Sequence, residues 1–189
     1  MSDVTVSQPP APGMITLRHD FAAHGAQAKL LSATGCVMPA ARRIGFSGDR
    51  ALAWMSPDEA MLFLPRAEAP GAAVEIAARL APAPCLVADV SDARVVFRLS
   101  GPGAREVLAK GAPADLSPSA FGVGDFRRTR IGQVAAAFWL RGDGSFDLMC
   151  FRSVAEYMRL WLETAARPGT LPGYFRGETR PRGTGPRSG

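Results

Sequence analysis

The stretch LVADVSDARVVFRLSGPGAREVLAKG, residues 86–111, contains the pattern that decides the fold class. Residues 86–90 and 95–99 are apolar and rich in β-branched side chains, which predicts two strands separated by a short polar turn. A Gly-Pro pair then opens a helical pattern that Gly111 ends. Short strands that run directly into a helix predict an α+β domain.

The sequence before this stretch predicts a strand, a hairpin and a helix. Residues 14–18 read as a first strand, whereas glycines and a proline interrupt every candidate element in residues 20–50. Residues 51–55 and 60–64 are apolar on both faces and flank Ser-Pro-Asp-Glu, which predicts a hairpin covered on each side. Residues 70–80 follow as a helix with proline in its first turn, and its inward side chains are predicted to be Val74, Ala77 and Ala78.

The sequence after this stretch predicts two strands and a final helix. Residues 129–140 read as one long strand, and residues 141–144 turn the chain into a partner strand over 145–151. Ser153 and Glu156 have the spacing of a capping box, which predicts the start of the last helix.

These elements together predict α+β architecture, with antiparallel sheets covered by helices. The chain divides into a disordered N-terminus (1–13), a single α+β domain of two small halves (14–166) and a disordered tail rich in Arg, Gly and Pro (167–189).

Most of the net charge of +5 lies in the tail. The tail contains five arginines and one acid, so a basic folded face for nucleic acid is not predicted. A role of the tail on RNA or on a membrane surface is a third interpretation that stays open. No run reaches the roughly 18 apolar residues of a membrane helix, and the N-terminus lacks the features of a secretory signal. The expected location is the cytoplasm.

The cysteines and histidines do not form a pattern typical of a metal site. Cys36, Cys85 and Cys150 are far apart in apolar surroundings, which predicts three reduced, buried thiols. His19 and His24 lie five residues apart with no acidic cluster nearby, so both are expected on the surface.

Two further segments have some of the features of binding sites. The Gly101-Pro102-Gly103 turn lacks the third small residue of a dinucleotide loop, because Glu106 stands there, and it lacks the P-loop lysine. It is interpreted as the ordinary start of a helix. The run Arg127-Arg128-Thr129-Arg130 could contact an acidic partner or nucleic acid, but Phe126 is the only aromatic beside it and alternating strand residues point to opposite faces, so a solvated strand start is expected.

Acidic residues near strand ends also lack the partners of a catalytic centre. Asp89, Ser91 and Asp92 are expected to bond to the local backbone. We therefore predict no catalytic, cofactor-binding or metal-binding residue on this chain.

Three stretches of the chain carry motifs in a definite order. They are WMSPDE at 54–59, DVSDARVVFRLSGPGAREVLAKGAPADLSPSAF at 89–121, and FRSVAEY at 151–157 followed by Trp161-Leu162. Together they resemble the gamma-subunit family of heterotetrameric sarcosine oxidase over residues 50–166. Ser56 stands where that family has glycine, and the arginine-rich tail is additional.

The resemblance implies a fold like part of the aminomethyltransferase of the glycine-cleavage system. It also implies a noncatalytic subunit of a complex with alpha, beta and delta chains that oxidises sarcosine to glycine. FAD, FMN, NAD, folate and zinc are expected on those partner chains and none on this one. The alternative is a free-standing folate-binding protein of the aminomethyltransferase type, for which Asp89, Asp92 and Asp115 are the candidate acids.

Overall fold

The computed structural model describes residues 3–177 of the 189-residue chain. Within these residues the strands are β1 (Thr5–Ser7), β2 (Gly13–His19), β3 (Ile44–Ser47), β4 (Arg50–Ser56), β5 (Glu59–Leu64), β6 (Cys85–Asp89), β7 (Arg94–Ser100), β8 (Phe126–Ile131), β9 (Val134–Leu140) and β10 (Phe146–Phe151). The α-helices are α1 (Ala26–Thr34), α2 (Ala69–Leu80), α3 (Ala104–Ala109) and α4 (Ala155–Ala165).

The strands form two antiparallel five-stranded sheets. The first sheet has the order β1-β7-β10-β9-β8, and the second has the order β3-β4-β5-β2-β6. The strands β6 and β7, which are consecutive in the chain, therefore belong to different sheets. The short turn between them carries the chain from one half of the domain to the other.

The buried apolar side chains form three layers. One layer lies between the sheets and includes Met61 and Phe63 from the second sheet and Trp139 from the first. The outer face of the second sheet packs against α1 and α2, and the outer face of the first sheet packs against α3 and α4. Both sheets are thus covered on each side, as the apolar arms of the β4–β5 hairpin predict.

A backbone bridge joins the two sheets at one edge. Arg43, just before β3, forms an antiparallel bridge with Asp125, just before β8. The Arg43 guanidinium also pairs with the Asp125 carboxylate, with Nη1 2.6 Å from Oδ1. One backbone bridge and one ion pair therefore link the two sheets at this edge.

The fold-class prediction is confirmed, and so are several elements. The β4–β5 hairpin turns at residues 57–58, and α2 covers the predicted segment with proline in its first turn. The inward face predicted for α2 is wrong, because Val74 is 72% exposed. Ile76 and Leu80 are buried instead, and these larger apolar groups set which side of the helix meets the sheet.

The long strand predicted for residues 129–140 is in fact a hairpin. β8 and β9 pair with Ile131 opposite Val134, and Gly132 at the turn has a φ of +57°. Positive φ at a tight turn is accessible to glycine without steric cost.

The predicted capping box does not form at the start of α4. Ser153 lies in a short 3₁₀ turn, Arg152–Val154, before the helix begins. The Glu156 carboxylate instead binds the Arg159 guanidinium, with Oε1 2.6 Å from Nη2. Because Glu156 pairs with Arg159 one turn further along the helix, its side chain does not cap the start of α4.

Both ends of the chain contain ordered structure that the sequence does not predict. Residues 1–13 were expected to be disordered, but β1 pairs with β7 and Val4 is buried. In the tail, Leu171 packs on the first sheet's outer core, and the Gly173 N–H donates to Glu106 Oε2 over 2.8 Å. These segments are ordered by partners distant in sequence, so their polar composition gives no signal. Residues 178–189 of the predicted tail lie outside the described residues.

Candidate functional site

The protein's own N-terminal segment packs directly against the Gly101-Pro102-Gly103 turn. The Gly103 N–H donates to the Asp3 carbonyl over 3.2 Å, so backbone covers the start of α3. A Cβ added at Gly101 would lie 2.5 Å from that same carbonyl oxygen, and the φ of Gly101 is +108°. The glycines permit close approach of two backbone segments, which agrees with the structural interpretation of this turn.

Gly101→Ala should lower the free energy of unfolding by about 2 kcal/mol, because it adds both the clash and the positive-φ strain. Urea denaturation of the full chain measures this loss. Gly142→Ala is the matched control, since a Cβ at Gly142 meets nothing within 4 Å. Equal unfolding midpoints for the two variants would contradict the prediction.

The histidines do not assemble into a site. His19 is only 7% exposed, and its Nδ1 lies 3.1 Å from the Pro84 carbonyl oxygen, so the prediction of a surface position is wrong for this residue. Its ring also packs edge-on against Phe21. His24 is exposed as predicted. Among residues 3–177 no group of three or more His, Cys, Asp and Glu side chains has the geometry to hold a metal ion.

The cysteines are free thiols in two different environments. Cys36 and Cys150 are buried, and burial raises the pKa of Cys150 to about 11. Cys85 is exposed, so the prediction of three buried thiols is wrong for this one. It lies at the start of β6, an edge strand whose residues are exposed or half-buried, which apolar neighbours in sequence do not reveal.

Two of the three candidate acids are bonded to neighbouring backbone, whereas Asp92 pairs with side chains distant in sequence, so the prediction of a local backbone bond is wrong for Asp92. The Ser91 N–H donates to Asp89 Oδ1 over 2.9 Å, and the Ser117 N–H donates to Asp115 Oδ1 over 2.9 Å. Asp92 pairs with Arg66, and that hydrogen bond is the main reason that its pKa lies below the ordinary value. None of the three acids lines the four cavities described for the molecule.

A cavity of about 280 Å³ opens between β4 and the first sheet, and it is called the Arg94 pocket. Its lining includes the two arginines Arg94 and Arg128, together with Met55, Met149 and Phe151. Arg128 belongs to the arginine run that the sequence singles out, and its Nη1 donates to the Met55 carbonyl over 2.6 Å. Arg94 was not identified from the sequence.

Arg94 has an unusual environment for a guanidinium. Its Nε is buried without a hydrogen-bond partner, and its Nη1 reaches only the sulfur of Met149, at 3.9 Å. The guanidinium carbon lies 5.1 Å from the centre of the Phe151 ring. Burial lowers the pKa of Arg94 from its ordinary value; the negative charge of Glu59 opposes this shift, and the positive charge of Arg128 adds to it.

A second cavity of about 280 Å³, called the Trp139 pocket, is lined by carboxylates as well as arginines. The buried carboxylate of Asp147 accepts two hydrogen bonds from Arg98, at 2.7 and 3.0 Å, and one from Arg141 at 3.1 Å. In this pocket the charges of Asp147, Arg98 and Arg141 therefore form ion pairs. Trp139 lies beside them with its Nε1 buried and without a hydrogen-bond partner.

Among the residues that the structure describes, each helix is too short or too polar to cross a bilayer.

Comparisons with known proteins agree on one family. The model of the sarcosine oxidase, gamma subunit family matches residues 18–167. A sarcosine oxidase subunit gamma from Arthrobacter sp. is 36% identical over 141 residues, which are 75% of this chain and 68% of that protein. The same subunit from Corynebacterium sp. strain U-96 is 34% identical over 137 residues, 71% of this chain and 66% of that protein. The chain thus spans about two thirds of the length of these relatives.

Solved structures support the same fold. A chain of heterotetrameric sarcosine oxidase from Corynebacterium sp. U-96, in complex with pyrrole 2-carboxylate, superposes with a TM-score of 0.79 at 32% identity. That match covers 86% of this chain and 83% of the other. The glycine cleavage system aminomethyltransferase T from Bartonella henselae superposes with a TM-score of 0.62 at 18% identity, over 85% of this chain and 45% of the other. The second likeness shows the fold alone.

Proposed function

The chain belongs to the sarcosine oxidase gamma-subunit family, and we propose that it is the noncatalytic gamma subunit of a sarcosine oxidase complex. The observation that carries the proposal is the family match over residues 18–167, which includes nearly the whole two-sheet domain. The partners of Asp89, Asp92 and Asp115 also support it, since each of these carboxylates is already bonded to a serine N–H or an arginine within the fold.

The proposed complex oxidises sarcosine with O₂. The products are glycine, H₂O₂, and either formaldehyde or, with tetrahydrofolate as acceptor, methylenetetrahydrofolate. In this proposal FAD, FMN, NAD and folate belong to the alpha and beta chains and zinc to the delta chain. This chain supplies structure to the assembly, and the complex works in the cytoplasm.

Half-exposed apolar groups on α4 support a role in an assembly. Tyr157 and Leu160 lie one turn apart on this helix and are 49% and 50% exposed. Phe151, just before the helix, is 48% exposed. Apolar side chains of this size on a surface are typical of regions that a partner covers.

Co-expression with candidate alpha, beta and delta chains tests the proposal. We expect a stable yellow complex that retains this chain through size-exclusion chromatography. When the alpha, beta and delta chains are expressed without this chain, the complex should be less stable. Any alpha–beta–delta complex that still assembles should keep its flavin absorption spectrum. A monodisperse monomer that never co-purifies with the other chains would contradict the proposal.

The aminomethyltransferase-like fold favours a second candidate, a free-standing folate-binding protein. Such a protein needs an acid facing its ligand cavity, and the three candidate acids do not line the described cavities. These four cavities therefore do not favour a folate site that uses one of the three acids. Calorimetry with tetrahydrofolate separates the two candidates, because heat of binding to the isolated chain is expected only for the second.

A further inference from the structure

Two arginines on β7 lie on the same face of the same strand but have different partners. Arg94 and Arg98 are four residues apart, so both point into the space between the sheets. Opposite Arg98 on β10 stands Asp147, which binds it through two hydrogen bonds. Opposite Arg94 stands Phe151, which carries no charge. Arg98 is therefore neutralised within the fold, and Arg94 is not.

The acid that acts on Arg94 is already shared among other arginines. Glu59 Oε2 lies 3.3 Å from an Nη2 of Arg18 and 3.6 Å from an Nη1 of Arg128. Glu59 is the acid whose charge acts on Arg94, so its negative charge is divided among several arginines. Within the described residues Arg94 forms no ion pair, and its buried Nε lacks a hydrogen bond. A partly desolvated guanidinium that forms no ion pair favours binding of an anion.

The lining of the Arg94 pocket indicates what the anion is attached to. Beside the guanidinium lie the thioether of Met149 and the half-exposed Phe151 ring, and the lining also includes Met55 and residues 135–137. Methionine and aromatic groups make favourable contacts with flat apolar groups. The volume of about 280 Å³ suits one ring with its substituent.

We infer that the Arg94 pocket binds a carboxylate attached to an apolar or aromatic body, with Arg94 holding the carboxylate. Arg128 also lines the pocket, where Glu59 offsets part of its positive charge. Met55, Met149 and Phe151 contact the body of the ligand. The inference is independent of the proposed function, since it rests on the charge and shape of this chain alone.

Thermal unfolding of the full chain with sodium benzoate as the probe tests the site. Benzoate at about ten times its dissociation constant should raise Tm by about 3–5 °C, beyond sodium chloride at equal ionic strength. Benzamide, which has the same shape without the charge, should give no such rise. A benzoate effect no larger than that of chloride overturns the inference.

Two matched variants separate binding from a structural role of the arginine. Arg94→Met should raise the Tm of the ligand-free chain by about 2 °C, because it removes a partly desolvated charge that forms no ion pair, and should abolish the benzoate effect. Arg98→Met should lower Tm, because Asp147 loses its main partner, and should retain the benzoate effect. Arg94→Gln repeats the ligand test with a polar side chain. An unchanged benzoate effect in both Arg94 variants would overturn the inference.

The same titration on an assembled complex identifies the source of the carboxylate. A benzoate effect that persists in the complex supports a free small acid as the natural ligand. An effect that is present in the isolated chain and absent from the complex supports an acidic side chain of a partner chain that fills the same pocket.

Discussion

Asp147→Asn should lower the free energy of unfolding by about 3 kcal/mol. The Asp147 side chain is 4% exposed and accepts hydrogen bonds from both Arg98 and Arg141. An amide has nearly the same shape, but it carries no charge and turns an N–H₂ group toward one guanidinium. The two arginines are 30% and 33% exposed, so water recovers part of their solvation and keeps the loss from being larger.

Asp49→Asn is the matched control, because Asp49 lines the same Trp139 pocket but is exposed at the turn between β3 and β4. Its replacement should change stability by less than about 0.5 kcal/mol. Urea denaturation of both full-length variants gives the comparison. Equal midpoints for Asp147→Asn and the unmodified chain would contradict the importance of this buried carboxylate.

Elements set by local chemistry could be predicted from the sequence. The Ser-Pro-Asp-Glu turn between β4 and β5 contains its own signal, because proline and aspartate favour a tight turn wherever the strands end up. The N-terminal proline of α2 acts in the same local way. The turn at Gly132 was missed because both its arms are strand-like and one glycine is a weak interruption.

The residues of the Arg94 pocket could not be predicted together, because sheet register brings them together. Arg94 and Arg128 come from strands that are not neighbours in the first sheet, and Met55 comes from the second sheet. The local sequence identified the arginine run that contains Arg128, but it gave no sign that Arg94 would lack a carboxylate while Arg98 has one. That contrast depends on whether Phe151 or Asp147 stands opposite on β10.

Trp139→Ala should lower the free energy of unfolding by about 3–5 kcal/mol, the largest effect that we expect from a single substitution. Trp139 is 3% exposed and lies in the layer between the sheets. Its ring packs 5.1 Å from Phe63 of the second sheet and 5.8 Å from Phe126 of the first, measured between centroids. Truncation therefore leaves a cavity that touches both sheets, and neither can close it alone.

Trp139→Phe should cost less than about 1.5 kcal/mol, which separates the packing of the ring from its polar group. Phenylalanine keeps an aromatic ring between Phe63 and Phe126 and removes the buried Nε1, which has no hydrogen-bond partner. Removing an unsatisfied buried donor offsets part of the volume loss, because such a donor costs about 1–3 kcal/mol. Urea denaturation of both variants measures the two losses in free energy of unfolding. A phenylalanine variant as unstable as the alanine variant would mean that Nε1 is satisfied by water or by a ligand in the Trp139 pocket.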